Sequence, residues 1–178
     1  LHLSYILADL KPGDEVIAPV FTCTATNIPF LYMGVKINFA DINPETLNID
    51  TTHVRQLMNN KVKAIVCVHY GGLPCDMDDL QSIANEWNIP IIEDAAHAIG
   101  AKYQNGIVGN CQYSDITVFS FHPVKIITTG EGGVAMTNSP LYAEKMDLLR
   151  SHGITRDTAK MQKKPDGPWY YEQIKLGF

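Results

Sequence analysis

Short apolar, β-branched runs alternate along the chain with amphipathic segments of helical period, and this alternation restricts the fold more than any other feature. EVIAPVF (residues 15–21), VKINFAD (35–41), KAIVCVH (63–69), PIIED (90–94), DITVFSF (115–121) and residues 133–137 read as strands. Residues 23–33 read as a helix interrupted at Pro29, and residues 52–58 as a short helix with Asp50 or Thr51 as N-cap. Residues 77–87 place Leu80, Ile83, Ala84 and Trp87 on one helical face, and residues 141–150 form a last helix. Strands that follow one another through helices need right-handed crossovers, which builds a mostly parallel sheet with helices on both faces. The near-continuous apolar character of KAIVCV and IPII fits strands buried on both sides. The expected fold class is α/β.

Composition narrows the function classes. With 178 residues, 46% of them hydrophobic, the chain can bury one core of ordinary size. No stretch reaches the roughly 18–20 uninterrupted apolar residues of a membrane span. A formal net charge of −5 provides no overall positive field for nucleic acid or anionic lipid, so neither is expected as a partner. Cys23, Cys67, Cys75 and Cys111 stand far apart without a CxxC pair, which argues against a disulfide framework and against a zinc-ligand spacing. Cys67, inside an apolar run, reads as a buried small hydrophobe. A reducing, cytoplasmic setting is expected, and residues 1–10 lack the basic start of a signal peptide. Leu3, Ile6, Leu7 and Leu10 instead read as a helix ended by Lys11-Pro12-Gly13-Asp14. Neither end resembles a tail, and the expectation is a partial domain with elements missing on both sides.

In open parallel sheets ligands bind at the carboxyl ends of strands, which filters the candidates sharply. PIIEDAAHAIG ends a strand with Glu93, Asp94 and, three residues on, His97. DITVFSFHPVKIITTGEGG supplies Ser120, His122, Lys125 and the glycine turn 130–133. Lys125 reads either as a surface lysine or as an amine enclosed by Val124, Ile126 and Ile127. A desolvated amine has a depressed pKa and serves as a Schiff-base nucleophile. Asp94 reads either as the cap of a helix over AAHAIG or as a buried carboxylate that meets a cation. Such a pair at about 4 Å gains roughly 4 kcal/mol at an effective dielectric near 20, before desolvation. His97 alone reads as a core histidine. The pairing of Asp94 with Lys125 is what points to chemistry. Residues 106–109 (GIVG) read as a hairpin turn and not a phosphate cradle, Trp169, Tyr170 and Tyr171 as packing in preference to a substrate platform, and Lys160, Lys163 and Lys164 as a solvated loop or a diphosphate attractant.

GDEVIAPVFTCTATNIPFLYMGVKINFADINPETLNID, VHYGGLPCDMDDL, IIEDAAHAIGA and FSFHPVKIITTGEGG stand in an order and spacing that resembles the DegT/DnrJ/StrS family of sugar aminotransferases. The resemblance covers roughly residues 1–157. It implies the aspartate-aminotransferase-like large domain of pyridoxal 5′-phosphate enzymes, fold type I, with residues 1–178 as a partial large domain. Carried over position by position, it implies Lys125 as the Schiff-base lysine. Asp94 would be the partner of the pyridine nitrogen, His97 a residue beside the ring, and Ser120 a phosphate contact. It further implies transfer of an amino group from glutamate to a nucleotide-linked keto-deoxysugar, in a homodimer. FSFHPVKIITTGEGG looks most like transaminases of pseudaminic acid biosynthesis, which points to C4 of a UDP-N-acetylamino sugar. Related dehydratases carry histidine in place of the lysine, so Lys125 favours transamination. A dehydratase, or an α/β fragment without cofactor, is the alternative. Many members of the family place an aromatic residue where Cys23 stands, and the phosphate-binding turn, the partner-subunit loop and the small domain fall outside these 178 residues. The isolated chain is therefore expected to be of low activity.

Overall fold

A computed structural model describes residues 1–178. The chain divides into two compact units, Leu1–Asn138 and Ser139–Phe178.

The first unit is built on six strands in the order β2-β1-β3-β4-β7-β8. These are β1 (Glu15–Pro19), β2 (Lys36–Ala40), β3 (Val62–Val68), β4 (Ile91–Asp94), β7 (Ile116–Ser120) and β8 (Gly133–Met136). The first five run parallel, and β8 returns antiparallel along β7. The parallel sheet expected from the alternating pattern is thus present, with one antiparallel edge. A two-stranded hairpin, β5 (Lys102–Tyr103) and β6 (Gly106–Ile107), lies between β4 and β7 in the chain. Its turn falls on Gln104, at φ +51°, and Asn105. The hairpin turn thus precedes residues 106–109, of which only Val108 and Gly109 lie in a turn, one that follows the hairpin. Gly106 and Ile107 are the returning strand.

The helices are α1 (His2–Leu7), α2 (Thr24–Tyr32), α3 (Thr51–Leu57) and α4 (Met77–Trp87). α1 stops at Leu7, short of Leu10, because Asp9 turns into the left-handed region. Asp50 caps α3 by accepting the N–H groups of Thr52 and His53. Asp76 caps α4 through Asp79 N–H, and Asn88 ends it in the left-handed conformation. Leu80, Ile83 and Ala84 of α4 are buried as the helical spacing predicts, whereas Trp87 is 39% exposed. They join Ile17, Val54, Ile65, Cys67 and Ile91 in one core. Tyr5 of α1 stacks on Phe30 of α2 at 4.1 Å, and both rings are fully buried. All residues of β1 and β4 are buried, as are all of β3 except Lys63. For β3 and β4 that is the two-sided burial their composition predicts. The four cysteines are free thiols, and Cys67 is fully buried as expected. No helix is long and apolar enough to cross a membrane.

The second unit consists of α5 (Pro140–Arg150) and a small antiparallel pair, β9 (Ile154–Thr155) with β10 (Glu172–Gln173). Ser139 caps α5 through Tyr142 N–H, and Pro140 begins it. Glu172 accepts the backbone N–H groups of Gln162 and Lys163, and Lys160 pairs with Glu144. Trp169 and Tyr171 are 67% and 51% exposed, so these two rings do not have the packing role expected of the aromatic cluster.

Candidate functional site

The carboxyl ends of β1, β3, β4 and β7 lie side by side, because these four strands are parallel neighbours. Asp94 is the last residue of β4 and is 5% exposed. Its Oδ2 accepts the Thr26 hydroxyl at 2.7 Å, and its Oδ1 accepts Ala96 N–H at 3.1 Å. Both donors are neutral, and no lysine, arginine or histidine forms an ion pair with this carboxylate. Residues 95–101 form successive turns, not the helix that a capping role would require, so Asp94 closes a turn through Ala96.

Thr26 sits in the first turn of α2 and is fully buried. Its own backbone carbonyl accepts the hydroxyl of Tyr5 at 2.9 Å, and its side-chain oxygen lies 2.8 Å from that of Thr22. Asp94 is thus fixed by a residue 68 positions away, which strand-end reasoning does not identify. The threonines of TCTATN, at i and i+4, are the signal that could have found it. Next to it, Asn27 donates to the carbonyl of Pro19 at 3.1 Å, while its buried Oδ1 has no hydrogen-bond partner.

His97 is half-buried and meets the ring of Tyr70 edge-on at 6.2 Å. Tyr70 in turn lies against Phe21 at 4.6 Å. The aromatic surface at these strand ends therefore comes from Phe21 and Tyr70, with Cys23 exposed at the N-cap of α2. Gly72 makes the approach to His97 possible. At φ +89°, a Cβ on Gly72 would stand 2.8 Å from the His97 carbonyl oxygen.

Glu93 and His69 form a second buried network behind Asp94. His69 Nε2 is 2.5 Å from Glu93 Oε2, Thr117 donates to Oε1 at 2.8 Å, and the Ser114 hydroxyl donates to the same oxygen. Burial works to raise the Glu93 pKa. The hydrogen bonds from His69, Ser114 and Thr117 outweigh it and hold the carboxyl below its ordinary value. Backbone N–H of His69 also donates to the carbonyl of Asp94 at 3.1 Å, so the network stiffens the end of β4.

Ser120 ends β7, two residues past Val118, the register partner of Asp94. Its hydroxyl accepts His122 N–H at 3.4 Å. Phe121 closes the loop that carries Lys125, donating to Gly132 O at 2.8 Å and accepting Thr129 N–H at 3.0 Å. A further bond, Lys125 N–H to His122 O at 2.9 Å, sets the turn before the lysine. His122 is half-exposed, with Nε2 3.9 Å from Glu131. Lys125 itself is half-buried, but Val124, Ile126 and Ile127 are 79%, 70% and 53% exposed. The apolar enclosure expected from these neighbours is not formed, because they flank the lysine in a surface loop and not in a core element.

The fold therefore brings Asp94, His97 and Ser120 to one end of the sheet and places the Lys125 loop directly after the strand beside Asp94. A buried acceptor with only neutral donors, a hydroxyl at the neighbouring strand end and a primary amine on the following loop suit a ligand that combines a cationic ring nitrogen, an anionic group and an electrophilic carbonyl.

The sequence profile of the DegT/DnrJ/EryC1/StrS aminotransferase family matches residues 1–171. The chain belongs to this family. Among curated relatives, the uncharacterized protein MJ1066 of Methanocaldococcus jannaschii is 43% identical over all 178 residues, which span 45% of that protein. The spore coat polysaccharide biosynthesis protein SpsC of Bacillus subtilis is 36% identical, with the same coverage of both chains. The chain thus spans about half the length of the curated relatives it matches. Among solved structures, an aminotransferase from Psychrobacter cryohalolentis superposes with a TM-score of 0.89 at 33% identity, covering 99% of this chain and 44% of its own. A sugar aminotransferase of Streptococcus pneumoniae, Spr1654, in its PMP form gives 0.86 at 32% identity, covering 99% and 49%. Helicobacter pylori PseC, an aminotransferase of pseudaminic acid biosynthesis, gives 0.84 at 32%, covering 99% and 46%. These likenesses bear out both the family resemblance and the α/β fold expected from the alternating pattern.

Proposed function

We propose that the chain is the cofactor-binding part of a sugar aminotransferase that uses pyridoxal 5′-phosphate to move an amino group from glutamate to a keto group of a nucleotide-linked deoxysugar. The observation that carries this reading is Asp94, a buried carboxylate at a strand end whose partners in the chain are all neutral. A buried anion is costly unless it meets a positive charge, and a protonated ring nitrogen supplies one. The donor set fits this cofactor: Asp94 for the ring nitrogen, Lys125 for the aldehyde carbon and Ser120 for the phosphate. His97, Tyr70 and Phe21 supply the surface around the ring, in place of the aromatic residue that Cys23 replaces.

When bound, the cofactor supplies an electron sink for negative charge developing on the amino-bearing carbon. The chain supplies the rest. Thr26 and Ala96 orient the Asp94 oxygens, so the carboxylate is held in place to accept the ring-nitrogen proton. Lys125 Nζ anchors the cofactor and then, as a free amine, takes up and returns a proton as general base and acid. Its partial exposure on a surface loop leaves the side chain able to leave and re-enter the site. The lysine also separates this reading from a dehydratase, whose proton carrier at this position is a histidine.

The sugar is proposed to be a UDP-linked N-acetylamino keto-sugar aminated at C4, on the likeness to PseC and to the motif FSFHPVKIITTGEGG. The active form is proposed to be a cytoplasmic homodimer. Incubation of the complete enzyme with ¹⁵N-glutamate and a UDP-4-keto sugar tests the reading. The expected result is ¹⁵N on C4 with one 2-oxoglutarate per amino sugar. A deoxygenated sugar without nitrogen would replace the reading with dehydration, and unchanged substrate across 3-keto and 4-keto sugars would overturn it.

A further inference from the structure

On the α4 side of the sheet, Cys67, His69 and Cys75 bring one ligand atom each to within 4.8 Å of one another, and all three are buried to 1% exposure or less. Their chain positions explain the convergence. Cys67 and His69 are two apart at the end of β3, so their side chains share a face of the sheet. Cys75 and Met77 are likewise two apart, where the loop from β3 enters α4. The Cys67 thiol lies 3.8 Å from the Met77 sulfur, and the Cys75 thiol reaches the Val68 carbonyl at 3.2 Å. No CxxC spacing marks the group, which is why the sequence reading passed over it.

We propose that Cys67, His69 and Cys75, with Met77 behind Cys67, bind a thiophilic d¹⁰ cation, Zn²⁺ or Cu⁺. Three atoms with mutual separations of 4.8 Å or less share a point no more than about 2.8 Å from each of them, against Zn–N and Zn–S bonds of about 2.0–2.3 Å. Side-chain shifts of about 0.5–0.8 Å therefore suffice. The donor types agree: two thiols and an imidazole, with a thioether in reserve, select soft or borderline cations over Mg²⁺ and Ca²⁺. His69 is already arranged as a ligand. Glu93 engages its Nε2, while Nδ1 accepts backbone N–H of Cys75 at 3.1 Å and so is the unprotonated nitrogen, on the side of the thiols. A carboxylate behind a histidine is the usual outer partner of a metal-bound imidazole. On binding, each thiol loses its proton to solvent, two per ion, and the Nδ1 lone pair passes from the Cys75 N–H to the ion. No electron is transferred.

Burial means that the ion enters as the chain folds, so the test is a refolding experiment. The full chain is reduced, unfolded and refolded with a molar equivalent of Zn²⁺ or, under argon, of Cu⁺, then passed through a chelating column. The expected result is retention of about one ion per chain, with loss in Cys67→Ser and Cys75→Ser and full retention in Cys23→Ser and Cys111→Ser. Retention of one ion but not the other supports the site and names its cation. Co²⁺ provides a readout on the unaltered chain, because two thiolate ligands produce a strong sulfur-to-cobalt charge-transfer band, so the proposal stays testable if a serine variant fails to fold. Retention of neither ion with no cobalt band overturns the proposal, as does equal retention by a Cys67→Ser/Cys75→Ser double variant. This outcome is independent of the aminotransferase reading, which uses none of the four residues.

Discussion

Asp94 is a buried carboxylate at a strand end, and two neutral hydrogen bonds offset part of the cost of burying it. Thr26→Ala removes one of them and leaves a buried carboxylate oxygen short of a donor. A hydrogen bond to a charged group contributes about 1.5–3 kcal/mol, so this variant is expected to weaken cofactor affinity at least tenfold. Thr26→Ser, which keeps the hydroxyl, should stay close to the parent. Titration of the apoprotein with pyridoxal 5′-phosphate, followed by absorbance, separates the two. Asp94→Asn removes the charge while keeping the shape, and is expected to abolish amino transfer while leaving the fold intact by circular dichroism. Retained turnover in that variant would contradict the role given to the carboxylate.

Glu15 shows the same logic at the level of elements. It begins β1 and ties three segments at the opposite end of the sheet from the site. Its Oε1 accepts from Lys36 of β2 at 3.0 Å, and its Oε2 accepts from Asn38 of β2 at 2.7 Å and from Asn59 before β3 at 3.0 Å. The bonds from Asn38, Asn59 and Lys36, in that order, lower its pKa to about 2. A carboxyl whose folded pKa is depressed contributes stability that is fully present above its unfolded value, near 4.5 here. That contribution is lost as pH falls through that window towards about 2. Urea midpoints measured down this range should therefore fall more steeply for the parent than for Glu15→Gln, and parallel curves would contradict the clamp. At the other end of the sheet, Gly72→Ala forces a Cβ against the His97 carbonyl at a positive φ. A destabilisation of about 1–3 kcal/mol is expected by urea unfolding, larger than for Gly71→Ala, whose Cβ would meet nothing within 4 Å. Equal losses would mean that the contact with His97 is not what the glycine serves.

Across the whole molecule, the parts legible in the sequence are those that depend on local pattern. α4 runs from Met77 to Trp87 as its periodicity predicts, and Asp94 ends β4 as the apolar run PIIED implies. The strand-end rule points to Glu93, Asp94, His97, Ser120, His122 and Lys125 without any contact information, and the family resemblance narrows these to Asp94, His97, Ser120 and Lys125. What stayed hidden depends on pairs far apart in the chain. The Thr26–Asp94 bond, the Glu93–His69 network and the meeting of Cys75 with Cys67 arise only when crossovers stack β1, β3 and β4. Local reading also misjudged Lys125, since apolar neighbours in sequence do not enclose a residue on a loop. GIVG misled in the same way, because glycine marks a strand start there as readily as a turn.

A Schiff base at Lys125 is the central proposal, and borohydride trapping after incubation with pyridoxal 5′-phosphate tests it most directly. Peptide mass mapping should find one pyridoxyl adduct, confined to Lys125 and absent from Lys125→Ala. Adducts scattered over surface lysines of a folded sample, with Lys125 unlabelled, would contradict the site.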